Sequence, residues 1–381
     1  MDIIKLLPEH IANQIAAGEV IQRPSSAVKE IIENSIDAGA TQIELIIKDA
    51  GKTLIQVVDN GCGMSKTDAK ISFERHATSK IRKADDLFNI KSMGFRGEAM
   101  ASIAAISHVE LNTKTTNSEL GSKVIIEGSE IKSQESCVCP TGTSIKIKNL
   151  FYNVPARRNF LKSNKIENKH ITNEFTRVSL ANPEILFILK IDNNIIYRLE
   201  PSNFRQRIVS ILGSKTNEKL VPIIEETTLV KISGFIGKPE FAKRTRGEQY
   251  FFVNGRYIKN YYLNHAINKA YAELISDNSH PSYFINLTIN PKQIDINIHP
   301  TKTEINFEDD KAIYAILISS VKRSLGKDNI APTLDFNTEP SFEIPINHNK
   351  IIKEPKIRVD RNYNPFVNKK EEILNSQKLY E

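Results

Sequence analysis

Three short stretches carry the side chains best placed to do chemistry. Glu30, Asn34 and Asp37 stand at i, i+4 and i+7, so a helix stacks them on one stripe, while Val28, Ile31, Ile32 and Ile36 fall on other faces and can pack inward. A carboxylate one turn from a carboxamide can supply a base for a water and an oxygen for a hard cation such as Mg²⁺. Asp59-Asn60-Gly61-Cys62-Gly63 follows, a segment no strand or helix would choose, whose glycines permit positive φ and close approach of the backbone to a ligand. Gly94-Phe95-Arg96-Gly97 then leads into an alanine-rich segment from Ala99, where free amides at a helix start suit phosphate oxygens.

Positioning these groups needs a helix over 25–38, with Pro24 near its start and Gly39 just beyond its end. Strands are expected over 42–48 and 53–59, joined by a hairpin turn at Asp49-Ala50-Gly51-Lys52. A helix over 99–106 and strands over 108–113, 123–127 and 143–148 come next, and 149–160 reads as an ordered loop with Pro155 and Arg157-Arg158. A helix over 165–180 and a hairpin over 187–199, turning at Asp192-Asn193-Asn194, complete the first region. After Asn203, a helix over 260–275 puts Leu263, Ala266, Ile267, Ala270 and Leu274 at core spacing. Strands over 283–289 and 293–298 precede a helix over 311–325 capped by Asp309 or Asp310. Beyond Ala331 apolar periodicity vanishes and prolines scatter among Asn, Lys and Glu, the composition of a disordered linker. A chain ending in this way reads as a fragment whose next domain is missing.

At 381 residues the chain suits two domains plus a tail. Hydrophobic content of 40% and charged content of 25% are those of a soluble globular protein. No run of about 18 apolar residues exists to span a bilayer, and Met1-Asp2-Ile3-Ile4-Lys5 lacks the features of a signal peptide, so an intracellular protein is expected. Cys62, Cys137 and Cys139 are too few for a disulfide framework, and Cys137-Val138-Cys139 lacks the neighbouring ligands of a zinc site, leaving a pair of free thiols. The net charge is +7, of which +5 falls within 201–330, the footprint of a polyanion-binding surface.

The glycine segments invite a test for phosphate loops. No G-x-x-x-x-G-K-[ST] is present, and no G-x-G-x-x-G opens a helix after a first strand, so P-loop and Rossmann sites are unsupported. Taken singly, Glu30 and Asn34 describe an exposed helix face, Asp59 to Gly63 a turn, and Lys302 a surface lysine. Together and in order they resemble the GHKL (Bergerat-fold) ATPases and, within them, the MutL family of mismatch-repair ATPases. The segments that carry the resemblance are Asn13 to Val20, Glu33 to Thr41, His76 to Lys80, Gly94 to Ala99, Phe151 to Arg158, Val253 to Arg256 and His299 to Lys302. They span most of residues 6–307. Met100 stands where related chains usually carry Leu, a volume-conserving change.

The resemblance implies roles residue by residue. Glu30 would be the base, or orienter, of the water attacking the γ-phosphate of ATP, and Asn34 would give its carboxamide oxygen to Mg²⁺. Asp59 would accept the adenine amino hydrogens, with Gly61, Gly63 and Thr143 shaping the adenine pocket. Asp37, Met64, Thr78, Ser79 and Lys80 would join the ATP site. The lid, from about Arg75 to Gly97, would bring Gly94, Phe95, Arg96, Gly97 and Glu98 near the phosphates, with Ala99 and Met100 behind them. Lys302, from the second domain, would sense the γ-phosphate as a mobile ammonium. Arg157, Arg158, Lys243, Arg244, Arg246, Arg256 and Lys259 are candidate DNA contacts, Lys243, Arg244 and Arg246 on charge alone, while for Arg157-Arg158, in a matched segment, structural ion pairing is an equal alternative.

The implied fold is α+β: a GHKL-type α/β sandwich over 1–202, a smaller ribosomal-protein-like βαβ domain over 203–330 and a disordered linker over 331–381. The implied activity is slow Mg-dependent ATP hydrolysis in a cytoplasmic, nucleoid-associated bacterial protein without membrane contact. ATP would order the lid and the segment from Leu6 to Arg23 and drive homodimerisation into a clamp on DNA. That clamp would link a mismatch-recognition protein of the MutS type to a downstream nicking endonuclease or helicase. No endonuclease motif is present in the sequence. The rival readings are another GHKL enzyme and a non-catalytic scaffold whose nucleotide only shapes a binding surface.

Overall fold

The computed structural model describes residues 8–81, 83, 92–94, 97–295 and 305–330. Lys302, Phe95, Arg96, the end of the strand expected over 293–298 and the tail from 331 lie outside these residues.

An eight-stranded sheet organises the first region. Its strands are β1 (Gln42–Lys48), β2 (Leu54–Asp59), β3 (His108–Lys114), β4 (Gly121–Glu127), β5 (Glu130–Cys137), β6 (Gly142–Lys148), β7 (Leu186–Ile191) and β8 (Asn194–Leu199), in the order β5-β4-β3-β6-β2-β1-β7-β8. Only β1 and β7 pair in parallel; the other neighbours are antiparallel. Alternation decides the faces. Ile43, Leu45 and Ile47 of β1 and Ile145 and Ile147 of β6 point inward, because β-branched and aliphatic residues at period two fit one pleated face. Helices α1 (Glu9–Val20), α2 (Pro24–Asp37), α3 (Lys66–Ile71), α4 (Ala99–Ile106), α5 (Pro155–Phe160) and α6 (Asn164–Ala181) belong to this region, and Val28, Ile32, Ile103, Ile171 and Phe175 join the strand residues in one core. The other face carries ion pairs instead. Glu110 of β3 receives Lys146 and Lys148 of β6 at 2.8 and 2.9 Å, and Lys190 of β7 pairs with Glu44 of β1 at 2.5 Å.

The second sheet has five strands, β9 (Leu220–Glu226), β10 (Lys231–Gly237), β11 (Gln249–Val253), β12 (Arg256–Ile258) and β13 (Tyr283–Thr288), ordered β12-β11-β13-β10-β9. Helix α7 (Phe204–Leu212) enters it, and α8 (Tyr261–Tyr271) makes the crossover that lets β11 and β13 lie parallel. A short pair, β14 (Ile294–Asp295) with β15 (Asn306–Phe307), precedes α9 (Asp310–Ile330), whose Leu317, Val321 and Leu325 pack with Leu263 and Ile267 of α8. Leu180, Ile208, Leu220, Phe252 and Phe284 form a further cluster where α6 and α7 meet this sheet. Beside it Arg207 is fully buried, and its Nη2 donates to the carbonyls of Pro183, Ile185 and Glu200 at 2.6, 2.7 and 3.1 Å. Burial lowers its pKa to about 10, which leaves the guanidinium charged at neutral pH.

Several expectations are corrected. Residues 149–160 are not wholly loop, since Pro155 starts α5 at a position where proline's missing N–H costs nothing. The helix expected over 260–275 runs only Tyr261–Tyr271, capped by the Asn260 side chain on the Leu263 amide, and Leu274 lies beyond it at 44% exposure. Helices α1, α3 and α7 and strands β5, β9, β10, β11, β12 and β15 were not anticipated. Asp309, not Asp310, caps α9, accepting from the Ala312 amide at 2.9 Å. Among the described residues no helix is long and apolar enough to cross a membrane.

Candidate functional site

One turn of α2 ties together two of the three stretches that opened the sequence reading and the entry to the third. Val28, Ile31 and Ile32 bury one side of the helix, which turns Glu30, Asn34 and Asp37 outward, half-buried. At one end Ser35 donates its hydroxyl to Asp59 Oδ2 at 2.7 Å, and Asp59 Oδ1 accepts from the Gly61 amide at 2.9 Å and the Thr143 amide at 3.3 Å. The pairing of β2 with β6 places Asp59 opposite Thr143, so strand register builds this part of the site. Gly142, between strand and turn, has φ +114°, and a Cβ there would come within 2.1 Å of the Asp59 carbonyl oxygen; only glycine fits. Burial pushes the Asp59 pKa up, and the Ser35, Gly61 and Thr143 donors pull against it.

Thr113 supports the same end. Its hydroxyl donates to the Gly142 carbonyl at 3.0 Å, accepts from the Met64 amide at 2.9 Å and lies 3.1 Å from the Thr143 hydroxyl. Neither Ser35 nor Thr113 was singled out from sequence. Both act through partners 24 or more positions away, and a lone hydroxyl carries no local signature.

At the other end of this turn Asp37 is a hub. Its carboxylate accepts from the amides of Met93 and Gly94 at 2.8 and 2.9 Å and from Lys80 Nζ at 2.6 Å. Lys80 also donates to Asn34 Oδ1 at 3.1 Å. Two hard oxygen donors, one carboxamide and one carboxylate, are therefore turned toward a single cationic group, and this donor set fits Mg²⁺ chemically. Gly94 packs on the cluster, where a Cβ would lie 3.1 Å from Lys80 Nζ and 3.3 Å from Asn34 Oδ1. Glu30 is 12% exposed in its side chain and lies 3.9 Å from Lys29 Nζ, which also approaches Glu33 at 3.6 Å. Thr78 and Ser79 are exposed, and Met64, Ala99 and Met100 half-buried. Gly97 has φ +64° and leaves no room for a Cβ over the Ala77 carbonyl, while Glu98 stands 3.7 Å from His76.

The basic candidates divide. Arg158, Lys243, Arg244, Arg246 and Lys259 are exposed, Lys243 in an ion pair with Glu248. Arg157 Nη1 donates to the carbonyls of Gly18 and Ile21 at 2.8 and 3.1 Å, latching α1. Arg256, expected among the DNA contacts, is 6% exposed and turned onto the backbone at Ser92 and Met93. Cys137 and Cys139 have their sulfurs 3.8 Å apart, and among the described residues no group of three or more His, Cys, Asp or Glu side chains converges on a metal position.

Comparisons with known proteins bear on this geometry. Residues 22–156 match the family model described as histidine kinase-, DNA gyrase B- and HSP90-like ATPase, and residues 208–326 match that of the DNA mismatch repair protein, C-terminal domain. A DNA mismatch repair protein MutL from Christiangramia forsetii is 62% identical over 368 residues, covering 96% of this chain and 60% of that protein. The MutL of Bacteroides fragilis is 52% identical over 366 residues, covering 96% and 59%. Among solved structures, an N-terminal domain of a DNA repair protein superposes with a TM-score of 0.73 at 25% identity, over 84% of this chain and 100% of that one. The Aquifex aeolicus MutL ATPase domain complexed with ADP gives a TM-score of 0.55 at 25% identity, over 71% and 94%.

Proposed function

Because the chain belongs to the MutL family of DNA mismatch repair proteins and spans about 60% of the length of the curated relatives it matches, we propose that residues 1–202 bind and slowly hydrolyse ATP and that residues 203–330 respond to it. The observation that carries this reading is the single turn of α2 whose Ser35 orients Asp59 and whose Asp37 orients the 92–94 turn. In this reading the one turn fixes the spacing between Asp59, as reader of an amino group, and the 92–94 turn, beside the phosphates.

In this proposal Asp59 accepts the adenine amino hydrogens, using carboxylate lone pairs not taken by Ser35, Gly61 and Thr143. Asn34 holds Mg²⁺, which when bound offsets the negative charge of the phosphates. Lys80 moves from the neutral Asn34 carboxamide oxygen to a phosphate oxygen while staying near the Asp37 carboxylate. Glu30 takes the proton of the attacking water or fixes its direction, and Lys302 senses the γ-phosphate. ATP-driven ordering of the lid and pairing of two chains make a clamp that engages DNA and the mismatch-recognition and downstream repair proteins. Arg158, Lys243, Arg244, Arg246 and Lys259 supply sequence-independent phosphate contacts, consistent with their exposure.

Substituting Glu30→Ala tests the assignment. Turnover should fall at least about 100-fold with ATP affinity kept within about threefold, since a general base acts on the reaction and not on ground-state binding. Unchanged hydrolysis would remove Glu30 from its role. A wild-type chain that binds ATP but shows no turnover, with or without single-stranded DNA, would favour the scaffold reading.

A further inference from the structure

The family-type segment Val253-Asn254-Gly255-Arg256 does something the charge argument did not foresee. It forms the turn between β11 and β12, with positive φ at Asn254 (+49°) and Gly255 (+79°), the backbone of a tight hairpin. The Asn254 side chain clamps this turn to the second sheet, donating to the Ile289 carbonyl at 2.8 Å and accepting from the Ile289 amide at 3.0 Å. The turn therefore moves with the sheet.

From this anchored position Arg256 reaches across to the other region. Its Nη2 donates to the carbonyls of Ser92 and Met93 at 3.1 and 2.9 Å, while the amides of Met93 and Gly94 are held by Asp37 of α2. The same short turn is thus gripped on its carbonyls by the second sheet and on its amides by α2. A second contact points the same way: a Cβ on Gly255 would lie 3.4 Å from the Met93 methyl, so the hairpin seats directly on Met93. A shallow cleft lined by Glu33, Met93, Arg177, Gly255, Arg256 and Tyr257 among others runs beside this contact. Of the ionic groups around it, Arg177 is turned to Glu174 and stacks 4.4 Å over Tyr257.

We propose that Arg256 is a positioning residue that couples the second sheet to the phosphate-facing 92–94 turn, so that a displacement of that sheet changes how tightly the polyphosphate end of the nucleotide is held. A buried guanidinium on two carbonyls is a directional grip that a shift of an ångström breaks. The adenine end, built on Asp59, Ser35 and Thr143, has no contact with Arg256 and stays as it is. The proposal rests on the ATPase reading above.

The test uses the full chain with Arg256→Met and Arg256→Lys, reading two quantities. Without nucleotide, amide hydrogen exchange over the peptide spanning 92–106 should speed up at least about tenfold in R256M, with R256K intermediate. Binding of a non-hydrolysable ATP analogue should weaken about tenfold while binding of AMP stays within about twofold, a split that general destabilisation does not produce. A folded R256M with unchanged exchange and unchanged analogue affinity overturns the proposal, as does equal loss of AMP and analogue binding. Should R256M not fold, R256K decides on the same readings. Failure of the wild-type chain to bind the analogue would refute the ATPase reading, and the exchange measurement would still decide the coupling.

Discussion

Asp59 is a largely buried carboxyl held by three donors, the setting that the proposed role as reader of an amino group asks for, and it carries the cost of that placement. Burial raises its pKa despite three donors, so ionising it costs the fold stability, which is lost as pH rises through the shifted value. Asp59→Asn removes this penalty: the amide oxygen can keep the Gly61 and Thr143 amides, and its NH₂ can donate to the Ser35 hydroxyl, which already has the Ile31 carbonyl as acceptor. The variant is expected to melt roughly 2–4 °C higher than wild type at pH 8 and to lose the thermal shift that ATP gives wild type, both read by differential scanning fluorimetry. At this scale residue type and spacing foretold where Glu30, Asn34 and Asp59 stand, the first two on one stripe of a helix and the third at a strand end before a glycine turn. The sequence was silent on Ser35, Thr113 and the true partners of Arg256, because those depend on which strands and turns meet.

Among the elements of the first region, legibility followed how regularly apolar residues recur. Helix α2 and strand β1 bury a clean stripe and a clean alternation, and their bounds follow from the pattern. Helix α5 buries no residue and β5 is an edge strand with mostly polar, accessible positions, so neither leaves a periodic trace. The outer face of the first sheet shows the polar counterpart. Lys146 and Lys148 hold the Glu110 carboxyl down to about 2, well below its ordinary value. A depressed carboxylate pKa contributes stability that is complete above about pH 4.5 and lost as pH falls toward 2. Glu110→Gln should therefore flatten the decline of stability between those pH values, measured by urea unfolding at each pH.

For the whole molecule, the two sheets are joined by the Leu180, Ile208, Phe252 and Phe284 cluster, by Arg207 and by the Arg256 grip, none of which composition could foretell. In the proposed reading, these contacts are the route by which a nucleotide at α2 acts on residues 203–330. Sedimentation of the chain should show a monomer with ADP and a doubled mass with Mg²⁺ and a non-hydrolysable ATP analogue; an unchanged mass would count against the clamp. The latch of Arg157 on α1 adds a vulnerability remote from the chemistry. A methyl group at Gly18 would fall 1.7 Å from the guanidinium, so alanine there forces Arg157 to shift from its present seat. Arg157 fastens this helix only because Gly18 has no side chain, so a mutation adding one carbon far from Asp59 and Asp37 would loosen it.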